Sequence, residues 1–264
     1  MIYNSIFKKN DKTNKRVIVL APSRLSRGGI SSVSKRLEKS DVLLSRRAMY
    51  LFTMDNRSFH LKLLYFLKAL LTFPFFLPFV EIVHAHISSG ISFYRKGFFL
   101  FFAKLCGKRI IVHIHPSHFV DFVEKGNYLR KIIVSSVLSR ADSIIVLSPF
   151  ISERLVSVFP WAKISVLPNP CTYEIWEDRK SNDDVQTILF TGKLMDLKGC
   201  NELLDAFAEV SKNMKSLRLI MAGDGEIDKY KEKTIQLGID DKVFFPGWLE
   251  GDAFIELYSN SKDI

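Results

Sequence analysis

The chain has 264 residues, 47% hydrophobic and 25% charged, a composition that suits a folded globular protein and excludes disorder over most of its length. Three cysteines, Cys106, Cys171 and Cys200, stand far apart with no CxxC pair, which sets aside a disulfide framework and a thiolate zinc site and favours a reducing, cytoplasmic compartment. The net charge of +10 is uneven: residues 1–180 hold 28 Lys+Arg and 12 Asp+Glu, whereas residues 181–264 hold 10 and 16.

Residues 1–16 are polar and basic, lack the apolar centre of a signal peptide, and read as a lead-in to the first strand. Arg16–Leu20 (RVIVL) is predicted as a buried strand, followed by a loop, Gly28-Gly29 and a helix from about Ser31. Ile82–His86 (IVHAH), Arg109–His113 (RIIVH), Ser143–Leu147 (SIIVL) and Lys163–Val166 (KISV) are further strands. A phenylalanine-rich helix is predicted from about Lys96 to Cys106, ended by Gly107. Residues 171–184 have no periodicity and read as an interdomain linker. The rhythm then restarts with strand Thr187–Thr191, helix Gly199–Met214, strand Leu217–Met221, a helix to about Leu237, strand Lys242–Phe245 and helix Asp252–Ser259. Lys262–Ile264 reads as the start of another strand. Alternating strands and helices predict an α/β protein with parallel sheets covered on both faces. We therefore expect two Rossmann-like domains, residues 1–178 and 179–264, the second incomplete because it is about half the usual size.

The apolar segment 61–80 is long enough to span a bilayer, but Lys62 and Lys68 lie inside it and Pro74 and Pro78 interrupt it. On a helical wheel Lys62, Tyr65, Lys68, Ala69 and Thr72 share one arc, and Leu63, Leu64, Phe66, Leu67, Leu70, Leu71 and Phe73 cover the other half. The first expectation is a helix packed on the N-terminal sheet, and the second is insertion into a membrane interface. The basic first half is compatible with anionic lipid or phosphate-bearing ligands. No RNA-recognition, zinc-finger or basic-zipper pattern points to nucleic acid.

Four clusters are candidates for chemistry. Gly28 and Gly29 follow the first strand and open a helix, where backbone N–H groups bind anions; the dinucleotide pattern GxGxxG is absent, which argues against an NAD enzyme. His113 and His115 end a strand, where ligands of open α/β sheets bind. The two are expected on opposite faces, His115 toward the cleft, with His118 as a competitor and a satisfied core histidine as the plain alternative. No carboxylate or cysteine lies at ligand spacing, so no metal is expected. Lys193 and Lys198 flank a strand-to-helix loop, where two ammonium groups and a helix N-terminus would neutralise a departing diphosphate; the plain alternative is two solvated lysines. Asp224, Glu226 and Asp228 alternate, and Asp224 is expected to cap the next helix rather than bind metal.

These stretches, in order, resemble the retaining GT-B glycosyltransferases of family four, many of which build bacterial capsule, exopolysaccharide or lipopolysaccharide. The resemblance rests on GGI at 28–30, IVHIHPS at 111–117, SIIVLSPFISERL at 143–155, VLPNP at 166–170, LFTGKLMDLKGCNELLDAF at 189–207, LIMAGDGE at 219–226 and VFFPGWLEG at 243–251. It implies a nucleoside-diphosphate sugar as donor, no metal cofactor, and a glycan or lipid-linked acceptor met at the inner face of the membrane. It assigns the donor phosphates to Gly28, Gly29, Lys193 and Lys198, with Lys193 where the family has arginine. It assigns the donor sugar to His115 as catalytic-site histidine and the base to the neighbourhood of Gly247 and Trp248. The family's later paired glutamates would fall beyond Ile264, so the chain as given is expected to be truncated and inactive or severely impaired. A non-catalytic, membrane-peripheral fragment or subunit completed by a separate C-terminal half is the alternative, and an NAD(P) enzyme the third.

Overall fold

The computed structural model describes residues 16–45, 47–116, 118–170, 186–214 and 216–259. The chain divides into two compact units, residues 1–170 and 171–264. The expected linker, the boundary at 178/179 and the strand from Lys262 lie outside the described residues.

The first unit is built on six parallel strands: β1 (Val17–Pro22), β2 (Met49–Met54), β3 (Ile82–Ile87), β4 (Arg109–Ile114), β5 (Ser143–Val146) and β6 (Ile164–Val166), in the order β2-β1-β3-β4-β5-β6. β1 and β3 are buried along their whole length, as apolar runs in a doubly covered parallel sheet must be. One sheet face carries Ile18, Leu20, Val83, Ala85, Ile87, Val112 and Ile114 into the large core. Helices α3 (Phe59–Phe76) and α4 (Ile91–Leu105) supply Phe73, Phe99 and Leu100 to it. The opposite face carries Val17, Val19, Ala21, Ile82, Ile111 and Ile145, under which α1 (Gly29–Glu38) and α2 (Asp41–Ser45) form a smaller cluster through Val33, Leu37 and Leu43. α5 (Phe119–Glu124), α6 (Tyr128–Ser139) and α7 (Pro149–Val158) complete the large-core side. Strand order reverses at β1: β2 pairs on one side and β3 on the other. Ligands of doubly wound sheets bind outside the carboxyl ends of strands at such a switch point. β2 has no counterpart in the predicted elements, because MYLFTM follows a basic, loop-like stretch and alternates poorly.

The second unit has three described parallel strands, β7 (Gln186–Thr191), β8 (Leu217–Ala222) and β9 (Val243–Gly247), in sequence order. α8 (Cys200–Ser211) and α9 (Ile227–Leu237) lie between them, and α10 (Asp252–Ser259) follows. Leu204, Phe207, Leu219, Met221 and Tyr230 form its core.

α3 corrects the expected orientation of segment 61–80. The helix continues through Pro74, and it packs against β2 with Ala69 and Phe73 buried and Tyr65 and Phe66 half-buried. Phe66 and Phe73 both meet the ring of Phe99 edge-on. Ala69, placed on the polar arc by the wheel, is therefore the contact to the sheet, because its small side chain permits close approach. Leu63, Leu64, Leu67, Leu71 and Phe75 face solvent together with Lys62 and Lys68. Phe59–Phe79 is long and apolar enough to cross a membrane by length and composition, and 17% of its most apolar window is buried.

Candidate functional site

In the first unit, a cleft opens at the switch point, at the carboxyl ends of β1, β2 and β3. Its volume is about 270 Å³, and Pro22, Arg27, Gly28, Gly29, Ser31, Met54, Ser88, Ser92 and Lys96 are among its lining residues. The loop from β1 to α1 forms one wall. Ser23 anchors that loop: its N–H donates to Met54 O at 2.7 Å and its hydroxyl to Asp55 Oδ2 at 2.5 Å. Asn56 adds two more ties, donating its N–H to Ser26 Oγ and accepting from the Arg27 N–H, both at 3.1 Å. Asp55 is fully buried. The Arg57 guanidinium and the Ser23 hydroxyl hold its carboxyl down at about 2, against the desolvation that burial imposes.

Gly28 sits at φ 124°, a region that disfavours side chains, and starts α1 without any side-chain cap. A methyl group added at Gly28 or Gly29 would meet nothing within 4 Å. The start of α1 lines the cleft, and its first N–H groups have no side-chain cap.

The histidines differ from expectation. His113 and His115 lie on one face of β4, with ring centroids 4.2 Å apart, because residues two apart on a strand point the same way. His84 and His86 occupy the same face of β3, with His86 opposite His113 in register. All four rings are buried. His86 Nδ1 and His115 Nε2 share a hydrogen bond of 2.8 Å. His115 is buried and is not among the lining residues of this first-unit cleft. Burial, with Lys96 and His84 nearby, holds its imidazole down to about 3, so it is neutral at physiological pH. His118, the competitor, begins α5 and exchanges a 2.9 Å hydrogen bond with Ser89 Oγ. Ring nitrogens of His84, His86 and His113 lie within 4.8 Å of one another, the described grouping nearest to a metal-ligand set. The rings of His84 and His113 are nearly parallel, 7° apart with centroids at 5.7 Å. The Lys96 ammonium, which donates to His86 O, adds a positive charge beside them.

In the second unit, β7 leads into Gly192-Lys193-Leu194, a short turn Asp196–Lys198, and then α8. Gly199 (φ 74°) starts α8 without a side-chain cap. Backbone bonds lock this loop to the one after β8: Gly192 N to Ala222 O (3.0 Å), Leu194 N to Asp224 O (2.7 Å) and Glu226 N to Leu194 O (2.9 Å). A Cβ at Gly223 would lie 1.7 Å from Gly192 O, which explains the glycine there. Asp224 does not cap α9 as expected: the cap position belongs to Glu226 and carries no side-chain bond. The main-chain oxygen of Asp224 is committed to Leu194 N–H, which fixes the residue two positions before the cap.

Lys193 and Lys198 are both exposed, and neither ammonium has a hydrogen bond or ion pair among the described residues. The nearby carboxylate is occupied elsewhere. Asp196 accepts from Lys229 and Asn201 at 2.7 Å and from the Tyr230 hydroxyl at 2.8 Å, and these contacts hold it below the usual carboxylate range. Two unneutralised cations thus flank an uncapped helix start. Gly247 (φ 78°) ends β9 and accepts from Gly223 N at 2.8 Å, and Trp248, half-buried, donates its indole N–H to Glu250.

Sequence reasoning missed Asp55 and Lys96. Lys96 was legible as a charge on the buried stripe Phe93, Lys96, Gly97 and Leu100 of α4. Asp55 was not, because its partner Ser23 is 32 residues away.

A family model, "Glycosyl transferases group 1", matches residues 174–264. That match takes in about a third of the chain. Two curated relatives are named as glycosyltransferases or as a glycolipid synthase. "Uncharacterized glycosyltransferase MJ1607" of Methanocaldococcus jannaschii is 32% identical over 134 residues, 45% of this chain and 34% of the relative. "Alpha-monoglucosyldiacylglycerol synthase" of Streptococcus pneumoniae is 26% identical over 161 residues, 53% of this chain and 36% of the relative. The matches thus span about a third of those relatives' length. Among solved structures, WaaG, "a glycosyltransferase involved in lipopolysaccharide biosynthesis", superposes with a TM-score of 0.66 at 10% identity, covering 93% of this chain and 73% of that one. At 10% identity the likeness is one of fold, the parallel α/β units of the GT-B class.

Proposed function

We propose that the protein takes part in retaining transfer of a sugar from a nucleoside-diphosphate sugar to a glycan or lipid-linked acceptor in cell-surface polysaccharide synthesis. The observation that carries this reading is the pair Lys193 and Lys198 beside the uncapped start of α8, with Asp196 withdrawn from both by Lys229 and Tyr230. Negative charge grows on a diphosphate as the sugar departs, and fixed cations with helix-start N–H groups stabilise that charge more than they stabilise the ground state. Gly28 and Gly29 offer a second set of backbone donors. A neutral, buried His115 would act through its hydrogen bond to His86 and not as a cation. Gly247 and Trp248 remain our assignment for the base. No metal enters this scheme.

Leu63, Leu64, Leu67, Leu71 and Phe75, flanked by Lys62 and Lys68, support peripheral contact with an anionic bilayer at the cytoplasmic face. That contact would bring a lipid-linked acceptor to the protein.

Nucleotide binding tests the reading most directly. Titration of UDP and GDP into the full chain should show binding that weakens by about tenfold or more in a Lys193→Ala/Lys198→Ala variant, each lost charge-assisted contact being worth about 1.5–3 kcal/mol. Unchanged affinity in the double variant would remove the basis of the proposal.

A further inference from the structure

The cleft at the carboxyl ends of β1, β2 and β3 contains a cation that the donor scheme leaves unused. Lys96 is 1% exposed and lines the cleft. An ammonium has three N–H donors. Among the described residues this one makes a single hydrogen bond, to the main-chain oxygen of His86. The lining contains no aspartate or glutamate. Among the described residues no acid faces Lys96 from the elements around it, and Arg27 is the other charged lining residue. From β3 and β4 it meets His84, His86 and His115, which burial keeps neutral. On its own helix stands Arg95, whose Nε is likewise buried without a partner and whose Nη2 reaches only Met54 Sδ. Asp55, the nearby buried carboxylate, is bound to Arg57 and Ser23. A buried ammonium lacking a counter-ion is costly, and a fold that keeps one beside an open cleft is prepared for an anion from outside.

We propose that this cleft is a phosphoryl-binding site in which Lys96 supplies the charge, acting with the open backbone at Gly28 and Gly29 and the hydroxyls of Ser88 and Ser92. The proposal deepens the donor reading above, and rests on it only for which molecule carries the phosphoryl group. Burial, reinforced by Arg95, lowers the empty-site Lys96 to about 7. Near neutrality the empty cleft therefore holds a partly charged amine. An entering phosphoryl group favours the ammonium and binds together with a proton. Since the folded, empty-site value is the lower one, affinity falls as pH rises above it, by close to tenfold per pH unit where one proton is taken up.

The test is calorimetric titration of the full chain with UDP and, separately, glycerol 3-phosphate, between about pH 7.5 and 9. The terminal phosphate of each probe, with a last pKa of about 6, keeps constant charge over that range. The buried histidines are already neutral there. The wild type should lose close to tenfold in affinity per pH unit for at least one probe, UDP pointing to the nucleotide donor and glycerol 3-phosphate to a lipid headgroup. Lys96→Met should abolish the slope and weaken binding about tenfold at pH 7.5, while its unliganded melting temperature equals or exceeds that of the wild type, because an unpaired buried charge has gone. Lys193→Ala/Lys198→Ala should keep the slope. That slope with UDP affinity unchanged in the double variant would leave this site standing and defeat the donor reading. A flat wild-type profile, no binding of either probe at millimolar concentration, or a slope that survives in Lys96→Met would each overturn the proposal. The wild-type profile decides even if Lys96→Met fails to fold.

Discussion

Replacing Gly223 by alanine should damage the second unit far more than a surface glycine-to-alanine change does. The added Cβ would lie 1.7 Å from Gly192 O and 2.7 Å from Gly192 C. Ordinary van der Waals contact begins near 3.4 Å, so the loops after β7 and β8 must part by about 1.7 Å. Neither neighbour is a flexible side chain that can swing away. Parting strains the Gly192–Ala222, Leu194–Asp224 and Gly223–Gly247 hydrogen bonds, now 3.0, 2.7 and 2.8 Å. Overpacking alone costs about 1–3 kcal/mol, and each backbone bond lost without replacement about 1 kcal/mol more. We therefore expect a loss of about 3 kcal/mol or more in the second unit. Hydrogen exchange read peptide by peptide should show faster exchange across residues 187–194 and 217–226, with the first unit unaffected. Gly238→Ala is the control: its φ is 67° but nothing lies within 4 Å of its Cβ, so it isolates backbone strain at about 1 kcal/mol. If Gly223→Ala exchanges like Gly238→Ala, the account of the locked loops is wrong. The same variant should weaken UDP binding, because Lys193 stands between the two displaced residues.

Two other outcomes follow from the first unit. His84 and His115 are held at about 4 and about 3 in the fold, below the unfolded value of 6.5, so the unfolded chain binds the extra protons. Their contribution is complete above about pH 6.5 and declines as pH falls toward the folded values, by up to about 1.4 kcal/mol per histidine per pH unit. Urea unfolding between pH 6.5 and 5, above the range where carboxylates titrate, should show that fall, and a flat profile would contradict the burial of the four-histidine cluster. Replacing Leu67 and Leu71, 45% and 70% exposed, by serine should abolish sedimentation with anionic vesicles and leave the melting temperature nearly unchanged. Retained vesicle binding would transfer the membrane contact to another surface.

Much of the sheet was legible because β1, β3, β4 and β5 are short β-branched runs punctuated by glycine and polar loops. β2 was not, since MYLFTM owes its place to pairing with β1, a contact between residues 31 apart such as Ile18 and Met49. Gly28, Gly29, Lys193 and Lys198 could be named as candidates because glycine turns and lysines at strand-to-helix junctions are local signals. The facing of α3 was misread because a helical wheel ranks faces by polarity. Packing on β2 instead selected the face with the small Ala69 and the interlocking Phe66 and Phe73.

By itself, the order of residues determined the alternation of strands and helices, the parallel sheets and the glycine-bearing loops that start α1 and α8, since each follows from periodicity and chain stiffness over a few residues. Tertiary structure alone decided that four histidines share one buried face and that Asp55 pins the loop from β1. It also decided that Lys96 has no acid beside it among the described residues and that Asp196 is bound to Lys229 and Tyr230 and not to the lysines on either side. These properties depend on which side chains from distant strands become neighbours, and charge, desolvation and hydrogen bonding are set by neighbours.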